Sequence, residues 1–384
     1  MRYLTAPRIL PMDQDPLVDH VLVLDADGVI EALLPATEVT SDDIEHFPGT
    51  LVPGFVNAHG HLELSHLLGR FTEKEGLPAF IRAVLAGREA TQEIIQEAIR
   101  RADAEMHAAG IVAMGDIGNT DHTLATKSES PIRYHSFVEL LGFDPDKAED
   151  IFRQGLGLLG RFREAGLSAS LVPHAPYTMS PELTGRITAH CREEAVVTSI
   201  HMLESNDENE FSIQGTGAYR KLFHDIGIRL DHYDPPGSTS LEATLPHLDP
   251  TVPTLLVHNT IAITADVEHA MAAHPRLHWC FCPNANLFIE DRLPDLPLLL
   301  RSIPDERILL GTDSLASNWQ LSVYEEVRTL RSAFPEIPGE RMLRWATRNG
   351  ADFLGWSDRY GTLSPGKRPG VVHLFEGQST LVVA

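Results

Sequence analysis

Through the middle of the chain, apolar and β-branched runs of five or six residues alternate with longer segments whose apolar positions recur at helical spacing. Eight runs read as strands, over residues 51–57, 111–116, 132–138, 168–173, 196–200, 254–257, 276–280 and 308–311. Helical segments are predicted between them, among them 78–109, 147–165 and 181–195. Alternation of strand and helix builds βαβ units on a parallel sheet. Eight such units predict an α/β fold of the (β/α)8 TIM-barrel type over residues 51–359. A doubly wound open sheet is the alternative, but no Gly-rich phosphate fingerprint follows the first run. The connection from 204 to 253 is too long for a plain crossover and is expected to form an elaborated loop over the barrel mouth.

Both ends differ from the middle. Residues 1–50 carry short strand-like runs joined by a turn at Asp25-Ala26-Asp27-Gly28, where the Asp-Gly pair marks a hairpin. Residues 360–384 mirror them, with a turn leading into VVHLF and TLVVA. Two β-rich ends flanking an α/β middle predict one small β-sandwich domain assembled from residues 1–50 and 360–384.

Composition narrows the partners. The 384 residues carry a net charge of −23, which argues against a nucleic-acid partner. No run approaches the roughly 18 apolar residues of a membrane span, and no apolar leader is seen. Cys191, Cys280 and Cys282 are an odd number, so no disulfide framework is expected and a reducing, cytoplasmic compartment fits. Cys280 and Cys282 straddle Phe281 and read as packing. Nineteen histidines tilt the chain towards imidazole chemistry.

That chemistry gathers at strand ends. The first run delivers His59 and His61, and residues two apart on a strand face the same side. The fourth run ends in His174, and the fifth in His201 with Glu204 three residues on. The sixth ends in His258 and the eighth in Asp313. One histidine at a strand end is ordinarily hydrogen-bonded structure. Five strand ends presenting His or Asp to one mouth are costly to bury together unless a divalent cation compensates.

PGFVNAHGHLE, SIHMLES, LLVHNT, CPNANL and LGTDSLASN, in that order, resemble the amidohydrolase superfamily. The similarity is greatest to the branch holding cytosine, guanine, S-adenosylhomocysteine, methylthioadenosine and aminodeoxyfutalosine deaminases and the triazine chlorohydrolases. The resemblance implies that His59, His61, His201 and Asp313 bind one divalent ion, zinc or else iron. It implies a catalytic set of Glu204, which moves the proton, His258 beside the water or substrate, and Asp313. Glu63, His174, Asn286 and Trp319 would meet a small heterocyclic substrate, Trp319 by stacking on its ring. Homodimers are common among such proteins.

The residues agree with those roles. Three neutral imidazoles and a carboxylate suit a first-row metal with one position open for water. Binuclear members of the superfamily carry a carboxylated lysine at the fourth strand end. This chain has His174 there, so one metal is expected, with Glu139 as a candidate bridge to a second. The expected reaction is hydrolytic release of ammonia from an amino-substituted heterocycle, an adenine-type nucleoside derivative. The alternatives are cleavage of another C–N or C–Cl bond on a related ring, and a barrel serving as a non-catalytic scaffold. LELS after the histidine pair argues against dechlorination.

Overall fold

The structure is a computed structural model that describes residues 1–41 and 43–384. Its centre is two four-stranded parallel sheets in chain order. The first contains Phe55–Gly60, Ile111–Gly118, Arg133–Leu140 and Ser168–Pro173. The second contains Thr198–Met202, Thr254–His258, Leu277–Phe281 and Ile308–Leu310. Strands covered on both faces read as near-continuous apolar runs, and Phe55–Gly60 and Ile111–Gly118 are buried throughout.

Hydrogen bonds join the two sheets at both seams. At one, Thr312 N and Asp313 N donate to His59 O at 2.9 and 3.1 Å, and Gly60 bridges Asp313 in parallel. At the other, His201 N donates to His174 O at 2.9 Å. The first seam requires glycine. A Cβ on Gly311 would stand 2.7 Å from His59 O, inside van der Waals contact. Both seams therefore run through residues that also carry the candidate chemistry.

Several predicted boundaries move. The expected strand 51–57 is two: Thr50–Pro53 pairs with Val371–Phe375, while Phe55–Gly60 enters the parallel sheet. Gly54 sits at the crossing, where a Cβ would lie 2.5 Å from Pro369 O. The helix expected over 78–109 is also two, Leu77–Gly87 and Gln92–Ala108. Thr91 caps the second by accepting from Ile94 N, and this local hydrogen bond outcompetes a continuous helix. The long connection after Glu204 is helical rather than irregular, with Asn206–Gln214, Gly217–Asp225 and Ser240–Thr244.

The terminal strands form two further sheets. One orders Ile30–Pro35, His20–Leu24, Arg2–Thr5 and Ile44–His46. The other orders Gln378–Val383, Val371–Phe375, Thr50–Pro53 and Arg8–Ile9, so both ends of the chain share it. Leu4, Leu22, Leu24, Leu51 and Val371 pack together in one apolar cluster. Among the described residues no helix is long and apolar enough to cross a membrane.

Candidate metal centre

His59 and His61 leave the first parallel strand on one side, as their spacing requires. His201 arrives from the fifth strand and Asp313 from just beyond the eighth. One donor atom from each of the four lies within 4.8 Å of the others. Asp313 Oδ1 is 3.3 Å from His61 Nε2 and 3.6 Å from His59 Nε2. His59 is fully buried, yet neither of its ring nitrogens has a hydrogen-bond partner among the described residues. A buried imidazole left unsatisfied is expensive unless a further group supplies the missing bond, and a cation does so.

The neighbours fix how each donor is presented. His201 Nδ1 donates to His174 O at 2.8 Å, which leaves Nε2 as the lone-pair nitrogen. Ser317 Oγ donates to Asp313 Oδ2, turning Oδ1 towards the imidazoles. Burial lowers His59, and it pushes His61 down to about 4 against the opposing pull of Asp313. The imidazoles are therefore neutral and ligand-competent at neutral pH. Asp313 (φ 56) and His258 (φ 74) both hold left-handed backbone, a strain of about 1–3 kcal/mol each that the surrounding bonds must sustain.

Glu204 and His258 face one another, with Glu204 Oε1 3.6 Å from His258 Nε2. Burial raises Glu204 well above the usual carboxylate range, helped by Asp313 and Glu208. With His61, His201 and Asp313 they line a cavity of about 290 Å³, as do Glu63, Glu139 and His174, while His59 lies buried behind it. His174 Nδ1 meets Thr178 Oγ1 at 2.7 Å, and that hydroxyl donates to Ala175 O. His174 Nδ1 is thus the donor and its Nε2 an acceptor. Glu63 Oε2 takes bonds from Thr120 Oγ1, Thr120 N and Asn119 N at 2.7, 3.2 and 3.3 Å.

Two expected substrate residues stand elsewhere. Asn286 does not line the cavity; its Oδ1 accepts from His258 Nδ1 at 2.9 Å and so orients that ring. Trp319 is 48% exposed, outside the cavity lining, with its indole N–H donating to Glu73 Oε1 at 2.7 Å. A loop residue's direction is set by its tertiary neighbours, which spacing does not reveal.

Glu139, His174 and His201 form a second cluster with metal-like spacing. His201 Nδ1 is already committed to the His174 carbonyl, which disfavours a second ion there.

The pattern reading also missed two supports. Glu208, fully buried, accepts from Leu203 N and Glu204 N at 2.9 Å each and takes the Ser240 hydroxyl. It holds the backbone that carries Glu204. The signal was an acid four residues on, at the start of a helix capped by Ser205. Lys127 is buried and forms an ion pair with Asp116, Nζ to Oδ2 2.6 Å, while Asp116 Oδ1 accepts Leu62 N, the residue after His61. No local pattern marks that pair.

This geometry belongs to a known class. The model of the amidohydrolase family matches residues 50–378, and the chain belongs to that family. It is a hydrolytic enzyme acting on C–N bonds. An aminodeoxyfutalosine deaminase of a Nitratiruptor species is 25% identical over 92% of this chain and 85% of its own. A 5-methylthioadenosine/S-adenosylhomocysteine deaminase of Teredinibacter turnerae is 26% identical over 96% of this chain and 83% of its own. The Helicobacter pylori aminofutalosine deaminase, solved with methylthio-coformycin, superposes with a TM-score of 0.82 at 22% identity, over 98% of this chain and 93% of its own.

Proposed function

We propose that this protein is a mononuclear metal-dependent aminohydrolase that releases ammonia from an adenine-type nucleoside derivative. We further infer that its eight central strands close into a (β/α)8 barrel, with residues 1–50 and 360–384 packed beside it as a β-sandwich. The bonds at both seams and the apolar cluster between the terminal sheets support that architecture. The observation that carries the function is the convergence of three imidazoles and Asp313, of which His61, His201 and Asp313 line the floor of a cavity that Glu204 and His258 also line.

In this reading His59, His61, His201 and Asp313 hold one divalent ion, zinc or else iron. Such an ion supplies Lewis acidity, bringing the pKa of a bound water to about 7. Glu204 takes one proton from the attacking water and delivers it to the ring nitrogen beside the amino-bearing carbon, then carries the remaining hydroxyl proton to the departing amine, so that ammonia leaves as the carbonyl forms. His258, whose ring Asn286 orients with Nε2 towards Glu204, takes a proton at Nε2 and as the imidazolium steadies the charge that develops at the attacked carbon. His174 Nε2 and Glu63 offer acceptors to ring N–H and sugar hydroxyl groups. Names of relatives as adenine-nucleoside deaminases favour that ring.

The test is metal analysis of the purified protein followed by ammonia release from 6-aminopurine nucleosides, cytosine, guanine and melamine-type rings. One equivalent of metal and ammonia from the purine nucleosides is expected. Two equivalents would overturn the single site, and no ammonia from any ring would overturn the deaminase reading. Chloride or a ring-opened acid as product would move the reaction to another bond.

A further inference from the structure

His258 and Asp313, the two strained residues of the site, are steadied by different loops. His258 Nδ1 donates to Asn286 Oδ1 at 2.9 Å, and Asn286 rides on the helix Pro283–Glu290 that follows the seventh strand. Asp313 lies in the loop after the eighth strand, which Asn318 Nδ2 closes by donating to Thr312 O at 2.8 Å. Both loops meet one side chain. Glu326, in the first turn of the helix Val323–Ala333, is fully buried. Its Oε2 accepts Asn284 N at 2.8 Å, and its Oε1 accepts Asn318 Nδ2 at 2.8 Å.

The helix Pro283–Glu290 starts without a side-chain cap of its own at Cys282. Pro283 has no N–H, so Asn284 N is the first donor left without a partner inside the helix. Glu326 caps it from another helix. Thr329, three residues further along that second helix, donates from Oγ1 to Asn284 Oδ1 at 2.6 Å and grips the same residue again. A Ser or Asp in place of Cys282 would cap the helix locally, at less cost than a carboxylate buried away from water. A local cap, however, cannot reach Asn318. We propose that Glu326 is a positioning residue that locks the loop orienting His258 to the loop bearing Asp313, so that the two keep one fixed spacing across the site. It acts through Asn284 and Asn318 and lies outside the cavity lining. For the roles of His258 and Asp313 this rests on the aminohydrolase reading above.

The signature is a loss at both ends from one substitution. Both partners are N–H donors, so Glu326→Gln keeps the volume but turns an N–H towards one of them. With the purine nucleoside that the wild type turns over fastest, and at saturating zinc, kcat should fall about 10- to 100-fold while KM holds. Zinc affinity, read by competition with a chelator, should fall by a similar factor of about 10- to 100-fold. The single-arm variants should divide these losses, Asn286→Ala lowering kcat with zinc affinity unchanged and Asn318→Ala lowering zinc affinity. A merely structural Glu326 would lower the urea midpoint yet leave kcat per folded, zinc-loaded molecule and zinc affinity at wild-type values, and that result overturns the proposal. So does a loss in Glu326→Gln confined to one of the two readouts. If Glu326→Gln does not fold, Thr329→Val, which drops only a hydroxyl, takes its place beside Asn318→Ala. Then kcat must fall in the first and zinc affinity in the second, or the tie is refuted. A wild type that binds zinc but releases no ammonia would strike the aminohydrolase reading instead, and the zinc affinity of Glu326→Gln would still sustain or overturn the tie.

Discussion

Lys127→Met tests how the loop that carries His61 is held. Lys127 Nζ and Asp116 Oδ2 are 2.6 Å apart with side chains 1% and 0% exposed, and Nζ also reaches Ser136 Oγ at 2.9 Å. The rings of Phe162 and Tyr134 enclose the ammonium at 5.1 and 5.4 Å. Water cannot enter to replace the lost partner, so the variant strands a carboxylate in a dry interior. Breaking one side of a buried pair costs about 3–5 kcal/mol, most of it the penalty on the charge left behind. That origin makes a second prediction. Asp116→Asn combined with Lys127→Met removes both charges while Oδ1 can still accept the Leu62 amide, now at 2.7 Å. The double variant should recover about 2 kcal/mol or more of the single variant's loss. Urea unfolding of the wild type and both variants, at equal metal loading, reads this as shifts in the midpoint. Because Leu62 follows His61, zinc affinity of the single variant should also fall by roughly 10- to 100-fold. The reasoning is refuted if Lys127→Met unfolds within about 1 kcal/mol of wild type, or if the double variant is no more stable than the single.

Glu204→Gln should lower kcat by roughly 10²- to 10⁴-fold with metal content unchanged, by steady-state kinetics and metal analysis of one preparation. Glu208→Gln places an amide where the Leu203 and Glu204 N–H groups need acceptors; kcat should fall about 10-fold or more while KM and metal content hold. A change in KM alone would count against positioning. Chelation, or Asp313→Asn, should remove the ion and lower the thermal midpoint, since a ligand bound only by the folded state stabilises it. The three cysteines are buried, and burial pushes the Cys191 thiol up to about 12. Iodoacetamide at about pH 8 should therefore label none in the folded protein and all three after unfolding, by intact mass.

The alternation of short apolar runs with helical periodicity was enough to place eight strands and the turn at Asp25–Gly28, because which face a side chain occupies is a local property of the backbone. The same locality made His59 and His61 legible, since two residues on one strand share a side whatever surrounds them. Glu204 was legible from its distance to His201 and from family motifs. Tertiary structure decided everything that depends on who meets whom. Asn286 turned to His258, Trp319 turned out to Glu73, and Lys127 reached Asp116 from a helix whose sequence shows no sign of it. It also split the first predicted strand between two sheets, because the partners of Thr50–Pro53 lie more than 300 residues away at Val371–Phe375. Long-range pairing leaves no periodic trace in either partner. It is fixed only when the folded backbone shows which buried polar atoms still need one another.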